Sequence, residues 1–192
     1  SRDLRWRNGL LLVASLFFYA WGEIAYGGVL LASIAANHLF AIAIDARRGA
    51  RSAARLFGLA VAVNLLLLAS FKYANFLADN LDLLLPVLGL GRIELAPVHL
   101  PIGISFFTFH KISYVVDVYR GVSAPAASFG LCLLYLLFFP HLIAGPIVRY
   151  HDVDRQLLAR AHTAERFLSG TSRFCVGLAK KDYLEYEQGS GV

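Results

Sequence analysis

The sequence predicts an all-α, polytopic integral membrane protein, with interfacial and re-entrant helices beside the crossing ones. Three observations carry this reading. Hydrophobic residues make up 58% of the 192 and charged ones 16%, with a mean hydropathy of +0.60; soluble domains hold roughly 45–50% and about 25%. The apolar residues collect in long uncharged runs. The basic residues, behind a net charge of +5, fall in the gaps between those runs. A water-soluble core of this size cannot hide so many apolar side chains. A soluble enzyme, a disordered tail and a disulfide scaffold are therefore set aside. Cys132 and Cys175 are too few and too far apart for a disulfide framework or a metal site.

The elements follow in order. Asn8 to Ile44 is a run of 37 residues with one charge, Glu23. The pair Gly27-Gly28 near its middle predicts two helices, Gly9–Tyr26 and Gly28–Ile44, joined by a tight turn. Each falls in the range of about 17–25 residues that a spanning helix needs. Leu56–Phe71 is a third span, flanked by Arg55 and Lys72, whose long stems reach the interface. In Tyr73–Leu90 the charges Asp79 and Asp82 interrupt Phe76, Leu77, Leu81, Leu84, Leu85 and Leu88 at helical spacing. That is the pattern of an interfacial helix, which Pro86 limits. Gly89–Pro97 reads as a loop.

Pro101–Val118 is the next membrane helix, with Pro101 in its first turn. It carries Ser105, Thr108, His110, Lys111, Ser113 and Asp117, polar groups that must face a bundle interior or a wet cavity. Gly121–Val148 follows without a charge, interrupted by Pro125, Pro140 and Gly145-Pro146. Tyr150–Lys181 is basic and amphipathic. The acidic Asp182–Val192 segment departs from it in composition. The chain thus divides into a membrane domain over 1–181 and an atypical tail over 182–192, a possible junction artefact. It has no methionine and opens Ser1-Arg2-Asp3, which reads as a piece of a longer protein.

Charge placement sets the expected orientation. Arg2, Arg5 and Arg7 precede the first run, and Arg47, Arg48, Arg51 and Arg55 fill the second gap, so both are placed in the cytoplasm. A full crossing by Phe129–Ala144 would export Arg149, Arg155, Arg160, Arg166, Arg173, Lys180 and Lys181. Re-entry is therefore expected, since a run of 16 residues broken by proline suits a helix backed by protein. No basic face with interleaved exposed aromatics appears, so no nucleic-acid partner is expected.

For chemistry, histidine is the natural general base near neutral pH. His38, beside Asn37, reads as an interhelical hydrogen-bonding residue. His99, His151 and His162 lie in polar stretches and read as surface residues. His110 and His141 lie within apolar runs, where a polar ring needs a partner or a cavity; a satisfied structural role outweighs a catalytic one for each. Lys111 and Asp117 are too far apart for an i,i+4 pair, so each needs its own partner. No His, Glu or Cys spacing matches a metal motif, and neither a phosphate-cradling loop nor a nucleophile elbow is present. Read this way, the residues describe a polytopic membrane protein with a polar pocket.

The order of several blocks adds to this. Phe18-Tyr19-Ala20-Trp21-Gly22 is followed by Phe71-Lys72-Tyr73-Ala74-Asn75-Phe76 and by Leu100-Pro101-Ile102-Gly103-Ile104-Ser105-Phe106-Phe107-Thr108-Phe109. Then come Ser113-Tyr114-Val115-Val116-Asp117-Val118-Tyr119-Arg120-Gly121, Phe138-Phe139-Pro140-His141-Leu142-Ile143-Ala144-Gly145-Pro146-Ile147 and Gly177-Leu178-Ala179-Lys180-Lys181. From about Leu10 to Lys181 this resembles the membrane-bound O-acyltransferase family, in its bacterial alginate O-acetyltransferase branch. The resemblance implies a multi-pass protein of the bacterial inner membrane, with tilted helices ringing a funnel. It implies O-acetylation of an exopolysaccharide such as alginate; D-alanyl transfer to teichoic acid, or a transporter-like or structural membrane subunit, is the alternative. An acyl donor such as acetyl-CoA would be a co-substrate rather than a bound cofactor. The expected partners are membrane lipid, the polysaccharide acceptor and a periplasmic acetyl-transfer protein.

The family's catalytic histidine is expected beyond Lys181, and a further helix upstream of Asn8, so the chain alone is expected to be inactive. The candidate pocket-lining residues are His110, Lys111, Tyr114, Asp117, His141, Gly145, Pro146, Arg149 and Tyr150. A histidine base would take the proton of the attacking sugar hydroxyl, with fixed donors for the oxyanion.

Overall fold

A computed structural model describes residues 2–84, 99–101, 103–139, 148–159 and 163–189. They form seven α-helices in two compact units, 1–158 and 159–192. The first unit holds α1 (Arg2–Asp45), α2 (Arg51–Lys72), α3 (Ala74–Leu84), α4 (Ile104–Tyr119), α5 (Phe129–Leu137) and α6 (Tyr150–Leu158). The second holds α7 (Ala164–Gly189). No strand occurs among the described residues.

Helix α1 corrects the expectation of two helices joined at Gly27-Gly28. It is unbroken. Glycine lacks a Cβ but keeps its N–H, so the hydrogen-bond ladder passes through both residues, and neither has positive φ. The expected folding back is nevertheless present. Leu12 lines a cleft with Gly130 and Leu131, while the His38 ring lies 6.0 Å from that of Phe129. A straight helix would separate Leu12 from His38 by about 39 Å, yet both reach the first turn of the short α5. Helix α1 must therefore bend. Gly22, Gly27 and Gly28 lie between the two contacts, and a glycine-rich stretch resists bending least. The chain then turns through Gly49, whose φ of +84° ends the helical path.

Helix α2 matches the third span and α3 the amphipathic segment, with Phe76, Leu77 and Leu81 exposed. Residues 85–98, including Pro86 and the expected loop, lie outside the described residues. Helix α4 starts later than Pro101: Gly103, at φ 77°, precedes its first residue, and the Ile104 N–H bonds the Pro101 carbonyl at 3.2 Å. Helix α5 ends at Leu137, short of Ala144, because Phe138 leaves the helical region at ψ 107°. The stretch from Tyr150 to Lys181 is two helices, not one, and α7 continues as helix through the acidic segment to Gly189.

The polarity of the first unit is inverted. Asn37, Asn64, Thr108, His110, Lys111 and Asp117 are buried, while Trp21 is 81% and Leu66 69% exposed. In water this arrangement leaves a large apolar surface unsatisfied; in lipid it is the stable one. Tyr26–Asp45 and Arg51–Lys72 are long and apolar enough to cross a bilayer. The fold is that of a helical membrane protein. Its core packs Ile34, Ala41 and Ile44 of α1 against Ala60 of α2, Phe107, Val115 and Val118 of α4 and most of α5.

Candidate functional site

The buried polar residues of α4 define the site, and two amides fix its frame. Asn37 and Asn64 donate to each other's side-chain oxygens at 3.1 and 2.7 Å, tying α1 to α2. Each also donates to the carbonyl one turn earlier, Asn37 to Ser33 and Asn64 to Ala60, both at 2.8 Å. Paired amides are favourable inside a bilayer, where water cannot serve either one.

Helical spacing places His110, Tyr114 and Asp117 on one face of α4. His110 accepts the Val148 N–H on Nε2 at 3.2 Å, so the neutral ring carries its proton on Nδ1. Phe106 and Tyr135 pack edge-on against the same ring. Tyr135 donates its hydroxyl to the Val148 carbonyl at 2.8 Å. Asp117 accepts the His151 backbone N–H at 3.4 Å and faces its Nδ1 at 3.0 Å. A carboxylate at the first turn of α6 also meets the positive end of that helix. Three side chains thus pin 148–151 onto α4 and α5.

Tyr114 sits at the centre. Its hydroxyl accepts the Ala126 N–H at 3.0 Å and lies 3.4 Å from His38 Nδ1. The Tyr114, Tyr135 and Tyr150 rings form a mutual cluster, with centroids 4.9 to 6.4 Å apart. Burial, with the nearby Asp154 carboxylate, pushes the Tyr150 hydroxyl up to about 12, so it remains a neutral donor near pH 7. The Asp117 hydrogen bond raises His151 above the ordinary imidazole range; desolvation opposes it, and the charges of Asp117 and Asp152 add to it.

Lys111 points to the other side of α4, where its ammonium donates to the Ser33 hydroxyl. Lys111 and Asp117 do have separate partners, as their spacing requires. His151 lies at the surface as expected, its side chain 30% exposed, and is held there by Asp117 and by Asp152, whose Oδ1 lies 3.2 Å from Nε2. Arg149 is exposed, apart from the buried group. His141, Gly145 and Pro146 lie outside the described residues, as does His162. Sequence reasoning missed Ser33 and Tyr135. Tyr135 carries a legible signal, as the only hydroxyl in the apolar helix α5, whereas Ser33 shows none before α1 and α4 are packed. Among the described residues, no group of three or more His, Cys, Asp or Glu is gathered for a metal.

The described chain also returns on itself. Phe139 bonds Ser15 Oγ at 3.3 Å, at the far end of α5. After residue 147 the chain packs at Tyr135, and Leu157 and Leu158 then line the cleft that holds Ala127, Ser128 and Leu131. The end of α6 therefore lies beside the start of α5. Nine helical residues cover only about 13 Å, against a hydrocarbon core of about 30 Å.

Inverted polarity and a buried polar face on α4 define a helical membrane protein with a polar interior. The comparisons with known proteins then give its kinship. The chain is 41% identical over 182 residues to the probable alginate O-acetylase AlgI of Azotobacter vinelandii, covering 94% of this chain and 36% of that protein. It is 40% identical over 185 residues to the protein of the same name in Pseudomonas aeruginosa, covering 94% and 35%. It is 29% identical over 198 residues to the peptidoglycan O-acetyltransferase of Helicobacter pylori, covering 89% and 37%. The resemblance read from the order of motifs is thereby shown: 94% of the chain aligns at about 40% identity with proteins named alginate O-acetylase. It spans about a third of the length of these relatives. No family model and no solved structure matches it.

Proposed function

We propose that this chain is part of a membrane O-acetyltransferase that esterifies hydroxyls of an exopolysaccharide of the alginate type. The observation that carries the reading is identity near 40% to alginate O-acetylases over 94% of the chain. The buried polar face of α4 supports it, since acyl transfer needs fixed donors in a site from which water is excluded. The donor in this reading is acetyl-CoA or a similar acyl carrier. The acceptor is polysaccharide, a periplasmic protein completes delivery, and the enzyme resides in the inner membrane with several crossings.

The described residues would build the scaffold of the reaction chamber. His110, Tyr135 and Asp117 hold 148–151 in place, and the tyrosine cluster keeps water from the interior. The Helicobacter pylori relative gives peptidoglycan as a second acceptor class. Expression of the whole gene in a strain that makes unacetylated alginate tests both. Ester-bound acetate on the alginate, read by proton NMR, is the expected result. Acetate confined to peptidoglycan moves the acceptor, and no ester on either polymer overturns the proposal.

A further inference from the structure

The second unit carries a two-faced surface that the acyl-transfer reading does not use. Every residue of α7 from Ala164 to Lys181 is exposed, with Phe167 at 74% and Phe174 at 68%. At 3.6 residues per turn, Phe167, Phe174 and Leu178 share one side of the helix with Leu168 and Cys175. Arg166, Arg173 and Lys180 recur every seven residues, so they form a row along the opposite side. Over 164–181 four cations, Lys181 included, stand against the single carboxylate of Glu165, and the acidic segment begins only at Asp182. Left in water, the aromatic side is a costly apolar patch.

Three environments could receive such a helix, and the charges decide between them. Five charges over 164–181 oppose a crossing, and among the described residues only Tyr26–Asp45 and Arg51–Lys72 are long and apolar enough to cross. A protein groove would cover the aromatic side and leave the basic row in water, without use. A lipid surface with anionic headgroups engages both sides at once, and the stems of arginine and lysine are long enough to reach phosphate from a helix lying at that depth. Only 159–163 separate α7 from α6, the last helix of the unit with the lipid-suited exterior. We propose that Ala164–Lys181 lies along an anionic phospholipid surface, its phenylalanine side among the acyl chains and Arg166, Arg173 and Lys180 on the phosphates.

The test uses the product of the whole gene, reconstituted into discs of phosphatidylcholine alone or mixed with phosphatidylglycerol. A nitroxide is carried at Cys175, on the apolar side, or at Ser169→Cys, near the basic row, with other reactive cysteines removed. Oxygen, which concentrates in lipid, and a water-soluble nickel chelate report the depth of each label. In the mixed discs the label at 175 is expected to meet oxygen and the label at 169 the chelate. Each basic residue near an anionic surface is worth about fivefold in the binding equilibrium, so the label at 175 should move toward water in the neutral discs and at high salt. Replacing Arg166, Arg173 and Lys180 together by glutamine should produce the same move in the mixed discs. A label at 175 shielded from both reagents means that protein covers the aromatic side and overturns the proposal. So does a label at 175 that meets the chelate in the mixed discs, or one at 169 that lies in lipid, which would mark a crossing. Equal depth at 175 in both kinds of disc, unmoved by salt, overturns the anionic surface; this comparison decides even if the triple variant fails to fold. Acetylation of any polymer is not among these readouts, so their outcome is separate from that of the acetyltransferase reading.

Discussion

Asp117 and His151 face each other across 3.0 Å, joining the last turn of α4 to the first turn of α6. The same carboxylate also takes the His151 backbone N–H, so one oxygen serves both the ring and the helix end. The pair closes the short return that follows α5.

Because Asp117 raises the His151 pKa, the contact strengthens as the ring gains its proton. Its contribution is full below the ordinary imidazole value of about 6.5 and fades as pH rises through the raised folded value. Hydrogen exchange over 148–158 should therefore be slower at pH 5.5 than at pH 8.5, after correction for intrinsic rates. Asp117→Asn should abolish that difference, and equal pH dependence in both proteins would refute the assignment.

The asparagine pair should behave asymmetrically under mutation. Asn64→Leu leaves the Asn37 amide without its partner on α2 and should cost about 1–3 kcal/mol. Replacing both asparagines by leucine should recover much of that loss. Unfolding midpoints of the two single variants and the double variant give the coupling, and strict additivity would deny the pair.

Two tyrosines on neighbouring helices should differ in the same assay. Tyr114→Phe orphans the buried Ala126 N–H. Tyr135→Phe orphans a carbonyl of the partly exposed Val148. The first should cost about 1–3 kcal/mol and the second about 1, as read by thermal unfolding in detergent. A larger loss for Tyr135→Phe would reverse this account.

The return of the chain has a sidedness test. Single cysteines at Ala127 and Leu158, in a background lacking Cys132 and Cys175, should label from one and the same side of the membrane. Labelling from opposite sides would mean that the segment between them crosses.

Much of this was legible in the amino-acid order, for identifiable reasons. Runs nearly free of charge located α1 and α2 because lipid tolerates little else. The separate partners of Lys111 and Asp117 followed from helical geometry alone. Gly27-Gly28 misled because the same residue that permits a turn also permits a bend, and only packing against α5 decides between them. The polar neighbours of His151 placed it correctly at the surface, but no local pattern reveals the carboxylate 34 positions away that holds it. Of the candidate pocket residues, those on α4 could be read from their cost in lipid. The exposure of Arg149 could not.

The double amide between Asn37 and Asn64 has a mechanical corollary. Two helices joined by aliphatic side chains alone can slide, since one leucine replaces another at little cost. Here a slip of one turn, about 5.4 Å, would strand both amides in hydrocarbon, so the joint admits a single register. Ser33 stands one turn before Asn37 and shares a hydrogen bond with it. The joint thus serves as a datum: it fixes the depth in the bilayer at which α1 presents the hydroxyl that meets Lys111.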